Sequence, residues 1–426
     1  MKKYFVLCFL VIFSGCVQEN LLEKTGNNNL WVANAIATID DGKVELRWQN
    51  PLPSPLEFRM IPVVIPDKME IYISENDMSN FRKLTEMNGV DLNNSDNFTY
   101  TVDRLQNGKN YFFYSVSNKK GVNPTYSDTI MAIPNKKREF ETLMIITDGV
   151  HGYVSVGQHN NKIAFTGVFT EKYSDVTTIA SSYVAISNMD GSEKEVIDTY
   201  SGNPCWSPEN DKIAFNTKNK NVDMPSHIAL FDYNEKTITH ITNGDNSDFA
   251  PAFSKNGEFL LFHSTKNAPA KNPAYMTVLP TNIWSINLKT LEAFQISDIS
   301  KISLITAERP SWIDNDRFLF HGINSGGKYQ LYESSVSTKQ VNKVINSQWN
   351  DYIPSISPNQ QKIAFISDRS RQYQIWIYHT DTKKYSQLTG YSTDEFVSPY
   401  SNIEWLDDST IIYTRNGNQS VKQKIE

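Results

Sequence analysis

Two histidines of this 426-residue chain stand in the same place relative to an apolar run: His263 directly follows Phe262, and His321 directly follows Phe320. Arg309 lies between them in sequence. Imidazole groups at equivalent positions could hold a catalytic metal, with the guanidinium beside them. A shared metal needs every ligand within about 2.1 Å of one point, and the His-x-His spacing that would favour this is absent. HExxH, the P-loop, paired-cysteine metal spacings and Gly-x-Ser-x-Gly are absent too. No catalytic residue, metal or cofactor is therefore expected, and whether the chain is an enzyme stays open. His263, His321 and Arg309 form the site of an alternative, enzymatic reading. The 47 acidic against 41 basic residues give a net charge of −6, which argues against a nucleic-acid partner because phosphate binding needs a clustered basic surface.

The elements that must position such residues are repeats. Asn203-Pro204-Cys205-Trp206-Ser207-Pro208 precedes Lys212-Ile213-Ala214-Phe215, and Ile353-Pro354-Ser355-Ile356-Ser357-Pro358 precedes Lys362-Ile363-Ala364-Phe365. Looser copies surround Phe253, Trp312 and Trp405, and a degenerate one surrounds Val156. Taking Val156, Trp206, Phe253, Trp312, Ile356 and Trp405 as equivalent gives spacings of 50, 47, 59, 44 and 49 residues. Each unit holds four strand-like runs, the content of one propeller blade. The pattern resembles the TolB-type β-propeller repeat, most closely from Pro354 to Ile366-Ser367-Asp368-Arg369. The final unit lacks a fourth strand, and an orphan one at Leu143–Gly149 could supply it, closing six blades without a free edge.

A propeller places residues at the start of each first strand near its channel mouth. Those positions hold Tyr153, Asn203, Ala250, Arg309, Ile353 and Asn402; two residues earlier come His151, Ser201, Asp248, Ala307, Asp351 and Tyr400. His151, Tyr153, Asn203, Asp248, Arg309, Asp351, Tyr400 and Asn402 are thus candidate ligand-binding residues, a polar and aromatic set suited to a sugar or peptide. The longest loops between second and third strands contain Tyr173, Asp175, Tyr275 and Met276, and insertions on one face of a repeat array often mark a binding face.

Ahead of the repeats, Val44-Glu45-Leu46-Arg47-Trp48 and Met69-Glu70-Ile71-Tyr72-Ile73 alternate as half-buried strands do. Leu105-x-x-Gly108-x-x-Tyr111 before a long strand resembles the tyrosine corner of a fibronectin type III domain, and Trp48 matches that family's core Trp. The insertion from Pro51 to Pro66 departs from the family. At the N-terminus, Lys2-Lys3, an apolar run from Tyr4 to Phe13, then Ser14-Gly15-Cys16 resemble a bacterial lipoprotein signal, with Cys16 as the lipidated residue. Phe13 stands where that pattern usually has Leu. Asp128-Thr129-Ile130 and Asp408-Ser409-Thr410 resemble the O-glycosylation acceptor motif of exported Bacteroidetes proteins.

The expected organisation is a signal peptide over 1–15, a tether over 16–29, a fibronectin type III-like β-sandwich over 30–135 and a six-bladed TolB-like β-propeller over 139–426 whose closing blade is shared by the two ends of the repeat array. The class is all-β. These resemblances imply a monomeric, lipid-anchored outer-membrane protein of the cell envelope that binds a protein partner or an oligosaccharide without catalysis. The alternative is a propeller polysaccharide lyase using a His-based metal site.

Overall fold

The computed structural model describes residues 30–49, 64–88, 97–145, 152–172, 178–218, 224–271, 278–399 and 401–425. Cys16, His151, Tyr173, Asp175, Tyr275, Met276, Tyr400 and most of the Pro51–Pro66 insertion lie outside the described residues. The chain divides into two compact units. The described elements are β-strands throughout.

In the first unit, the alternation of Lys43–Gln49 has a direct physical result: Val44, Leu46 and Trp48 are buried while the residues between them are more open. That strand lies between Ile36–Asp40 and Asn97–Val102 in a three-stranded sheet. A second sheet runs Arg82–Asn88, Lys68–Glu75, Tyr111–Lys119, Val122–Tyr126, with Ile130–Ala132 pairing the start of the Tyr111–Lys119 strand. Their inner faces share one core, which includes Trp48, Ile71, Ile73 and Phe113. The Trp48 indole N–H donates to the Ala33 carbonyl at 3.1 Å, so its polar atom is satisfied inside the core. The Gln106 N–H donates to the Tyr111 hydroxyl at 2.9 Å.

The second unit contains six successive four-stranded antiparallel sheets. Their first strands are Val154–Gly157, Ser201–Trp206, Asp248–Phe253, Leu304–Trp312, Asp351–Ile356 and Ile403–Asp407. Each second strand carries a continuous apolar run instead of an alternation, because both faces are covered. Ile163-Ala164-Phe165 and Ile213-Ala214-Phe215 are wholly buried. Apolar clusters fill the space between consecutive sheets, as where Phe215 and Trp206 of the second sheet pack with Ala164 and Val184 of the first. The first strands touch in a cycle, with Ile403–Asp407 returning to Val154–Gly157.

The sixth sheet takes its outer strand from the chain preceding the first sheet. Phe140–Ile145 pairs antiparallel with Gln419–Lys424, with Gln419 opposite Ile145 and Gln423 opposite Phe140. The strand read from the sequence over Leu143–Gly149 overlaps this strand at 143–145, the strand begins earlier, at Phe140, and residues 146–149 lie outside the described residues.

Candidate functional site

Five of the six first strands slip in register; Ile403–Asp407 slips late, between Trp405 and Asp407, and the other four slip between Gly202 and Cys205, Phe249 and Ala252, Glu308 and Ser311, and Tyr352 and Ser355. At each of these last four slips one residue adopts a left-handed backbone: Asn203 (φ 53°), Ala250 (46°), Arg309 (54°) and Ile353 (50°). A proline follows every one of them. This conformation costs an ordinary L-residue about 1–2 kcal/mol, and it is rarest for a β-branched residue such as Ile353. A bulge of this kind bends the strand and re-aims side chains.

Three of the four strained N–H groups find partners on the second strand of the preceding sheet. Asn203 N–H donates to Thr166 Oγ1 at 2.9 Å, Arg309 N–H to His263 Nδ1 at 3.3 Å and Ile353 N–H to His321 Nδ1 at 3.2 Å. The two histidines therefore serve as backbone acceptors, which places their ring proton on Nε2. Burial pushes the His263 imidazole down to about 3, and His321 is also lowered, chiefly by burial. Glu308 lies beside them, its carboxylate 3.7 Å from His321 Nε2 and 3.1 Å from the Thr306 hydroxyl. Burial opposes its charge, but His321, His263 and Arg309 together hold it ionised.

The six first strands enclose a cavity of about 450 Å³, whose lining includes Tyr153, Arg309 and Asn402. The Arg309 guanidinium sits 4.8 Å from the Tyr153 ring centre, a cation–π distance. Arg309 Nη1 is buried without a hydrogen-bond partner. Asn402 also lines the cavity, but its side-chain amide is occupied by the Val154 backbone, whose N–H donates to Asn402 Oδ1 at 2.7 Å. Asn203 turns its amide to Asn216 Oδ1 at 2.6 Å and is not part of the lining.

Asp248 and Asp351 point elsewhere. Asp351 is fully buried and paired with Arg369 at 3.2 Å; Asp248 is buried with His227 Nδ1 3.9 Å away. The bulge explains this: residues two apart on a regular strand share a face, and the left-handed residue at the slip breaks that alternation, so the aspartate two positions before it faces away from the cavity.

Several lining residues escaped the sequence reading. One position before each repeat's aromatic or aliphatic anchor come Ser155, Cys205, Ala252, Ser311, Ser355 and Glu404, and all six line the cavity. The repeat alignment held the signal: five small side chains and one carboxyl in a single column. Glu404 Oε2 accepts the Val156 N–H at 2.9 Å, and Oε1 lies 3.5 Å from the Ser155 hydroxyl. Burial pushes its carboxyl up to about 8, against the pull of those hydrogen bonds and of Lys255. Burial likewise pushes the Cys205 thiol up to about 12, so at neutral pH it is a thiol, not a nucleophilic thiolate.

No protein-family model matches the chain. A stretch of 82 residues is 29% identical to the Tol-Pal system protein TolB of Francisella tularensis subsp. tularensis (strain WY96-3418), and equally to that of subsp. mediasiatica (strain FSC147). The match covers 19% of this chain and 19% of each relative, so the chain spans about a fifth of the length of the curated relatives it matches. Among solved structures, TolB from Acinetobacter baumannii is similar with a TM-score of 0.45 at 18% identity, over 75% of this chain and 77% of that one. An oligogalacturonate lyase in complex with manganese is similar with a TM-score of 0.42 at 9% identity, over 68% and 96%. The repeated four-stranded sheets and the TolB-related stretch together support an all-β, TolB-like propeller fold.

Among the described residues no group of three or more His, Cys, Asp or Glu side chains is placed to hold a metal ion. The arrangement offers a cation, a neutral carboxyl, hydroxyls and small apolar surfaces around a central space. That set is suited to holding a ligand.

Proposed function

We propose that this chain is a cell-envelope binding or scaffold protein whose six sheets are the blades of a TolB-like propeller and whose central cavity receives a partner. The observation that carries the reading is the cavity itself: all six first strands contribute to it, and it joins the Arg309 cation to a ring of small side chains. On fold-level analogy the partner is an envelope protein or a glycan. The first unit is a fibronectin type III-like sandwich, supported by the buried Trp48 and by the Gln106–Tyr111 hydrogen bond, which has the form of a tyrosine corner. Cys16 carries a lipid that tethers the chain to the outer membrane.

The enzymatic alternative built on His263 and His321 is less well supported. Each spends Nδ1 on a neighbouring sheet's backbone, and both rings are buried.

Capture from envelope extract tests the reading, using the full chain and Ser311→Phe, which fills the cavity from a small half-buried position. A partner held by the native chain and lost from a folded Ser311→Phe is expected. Equal capture by both proteins refutes the cavity as the binding site. In parallel, Cys16→Ser is expected to move the protein from the membrane to the soluble fraction, and unchanged membrane association refutes the anchor.

A further inference from the structure

The first unit carries a row of aromatic rings that its core does not use. On the strands Lys68–Glu75 and Tyr111–Lys119, alternation sends Ile71, Ile73 and Phe113 into the core and turns Tyr72 and Tyr114 to the other face of the sheet. The two tyrosines stand opposite each other in the ladder, and their rings stack with centres 4.9 Å apart and planes 2° from parallel. Phe81 meets the Tyr114 ring edge-on at 4.7 Å. Tyr126 ends the edge strand Val122–Tyr126, opposite Val116, and leans toward Tyr114 with ring centres 6.5 Å apart. It remains 58% exposed. Contiguous apolar surface left in water in this way marks binding sites.

The charges beside the row decide what it can hold. Glu70 precedes Tyr72 by two residues on the same face. Its carboxylate accepts from Lys83 at 2.8 Å, from Lys68 at 3.0 Å and from the Tyr72 hydroxyl at 3.2 Å. Lys83 also pairs with Glu86 at 2.5 Å. Two acids and two bases thus neutralise one another, so the patch complements neither an anion nor a cation. The same contacts fix Tyr72, and stacking fixes Tyr114, which leaves these side chains little freedom to lose on binding. The Tyr114 and Tyr126 hydroxyls have no hydrogen-bond partner among the described residues.

A matching ligand is uncharged, with C–H groups to lie against a ring and hydroxyls to exchange hydrogen bonds with tyrosine and lysine. A saccharide has this chemistry. A stable protein interface needs about 800 Å² per partner around an apolar centre depleted of charge, whereas this row is bordered by the charged side chains of Lys68, Lys83 and Glu86, each 41–51% exposed. We propose that the row is a binding site on the first unit for a neutral glycan, with Tyr126 as its stacking face. The site is separate from the cavity and does not depend on the cavity's function.

Electrophoresis of the full chain through native gels containing a polysaccharide tests this. The probes are xyloglucan, glucomannan, mixed-linkage β-glucan, α-mannan and dextran, with polygalacturonate as the acidic comparison. At least one neutral polysaccharide is expected to retard the native chain. Tyr126→Ala, checked for an unchanged melting transition, is expected to bind about tenfold more weakly through loss of one stacking contact. Tyr126→Phe, which keeps the ring, is expected to retain most of the binding. Leu291→Ala, at an exposed leucine of the second unit, and Ser311→Phe are expected to bind as the native chain does. No retardation by any neutral polysaccharide, or retardation unchanged in Tyr126→Ala, overturns the inference and leaves the cavity reading standing. Retardation kept by Tyr126→Ala and lost by Ser311→Phe overturns this site and moves the glycan to the cavity. Retardation by polygalacturonate alone overturns the neutral class. A dimer in sedimentation velocity that Tyr126→Ala abolishes would make the row a contact between copies of the chain and overturn the glycan.

Discussion

Arg369 is 1% exposed, and its guanidinium lies 4.7–5.6 Å from the ring centres of Trp349, Phe365, Trp376 and Tyr385. Its ionic partner is Asp351, which is wholly buried. Removing one member of such a pair strands the other charge in a low dielectric, a loss of ~3–5 kcal/mol. Arg369→Met is expected to lose that much in urea unfolding, and a loss below ~1 kcal/mol would show that the pair contributes little. Glu404 makes a different prediction. Its carboxyl titrates near 8 in the fold against about 4.3 in an unfolded chain. Between those values the native state binds more protons than the unfolded one, so stability falls as pH rises through this window and levels off above it. Glu404→Gln keeps a neutral acceptor for the Val156 N–H and removes the ionisation. The gap between the denaturation midpoints of the two proteins should therefore widen in the variant's favour from pH 5 to pH 8.5. Parallel pH profiles would refute the assignment.

Among elements, the sheets are held to one another by repeated polar latches as well as apolar packing. One set runs from second-strand side chains (Thr166, His263 and His321) to the left-handed N–H of the next first strand. Another runs from the turn after a first strand to the following sheet: His159 N–H to Asn210, Asn256 N–H to Asn315 and Asn359 N–H to Asp408, at 2.6–2.9 Å. Asp408, in the stretch that resembles a glycosylation motif, is thereby a structural acceptor. Because Thr fills the His321 position in the first sheet, any acceptor of suitable reach should serve. His321→Val is expected to lower stability by ~1–3 kcal/mol, the penalty for a buried unpaired N–H. His321→Thr should lose less. Equal losses in thermal melts would place the contribution of His321 in packing instead of in the Ile353 hydrogen bond.

For the second unit as a whole, the decisive contact joins residues almost 280 positions apart: Phe140–Ile145 against Gln419–Lys424. This pairing gives the sixth sheet its outer strand and links the two ends of the repeat array. Val421→Pro removes a ladder donor and disfavours the strand conformation. Faster amide exchange is expected first in Phe140–Ile145 and in Thr410–Arg415, which flank the substituted strand. Exchange that rises uniformly over all six sheets would instead show a single cooperative unit.

The strands and their repetition were legible in the sequence because they follow from short-range rules. Val44-Glu45-Leu46-Arg47-Trp48 alternates because one face meets a core, and Ile-Ala-Phe recurs as an unbroken run because both faces do. Tyr153, Arg309 and Asn402 could be placed near the cavity from the repeat alone. What tertiary structure decided was direction. A bulge of one residue separates Arg309, which faces the cavity, from the aspartates two positions before equivalent bulges, which are buried away from it. Likewise, His263 and His321 resemble a reactive pair along the chain, and only the approach of the next sheet's backbone makes them acceptors for strained N–H groups. Glu404 gains its character the same way, since a carboxyl titrates by the water and donors around it. Pattern along a chain encodes which residues are inside, whereas the chemistry of a buried group depends on neighbours that folding brings from distant segments.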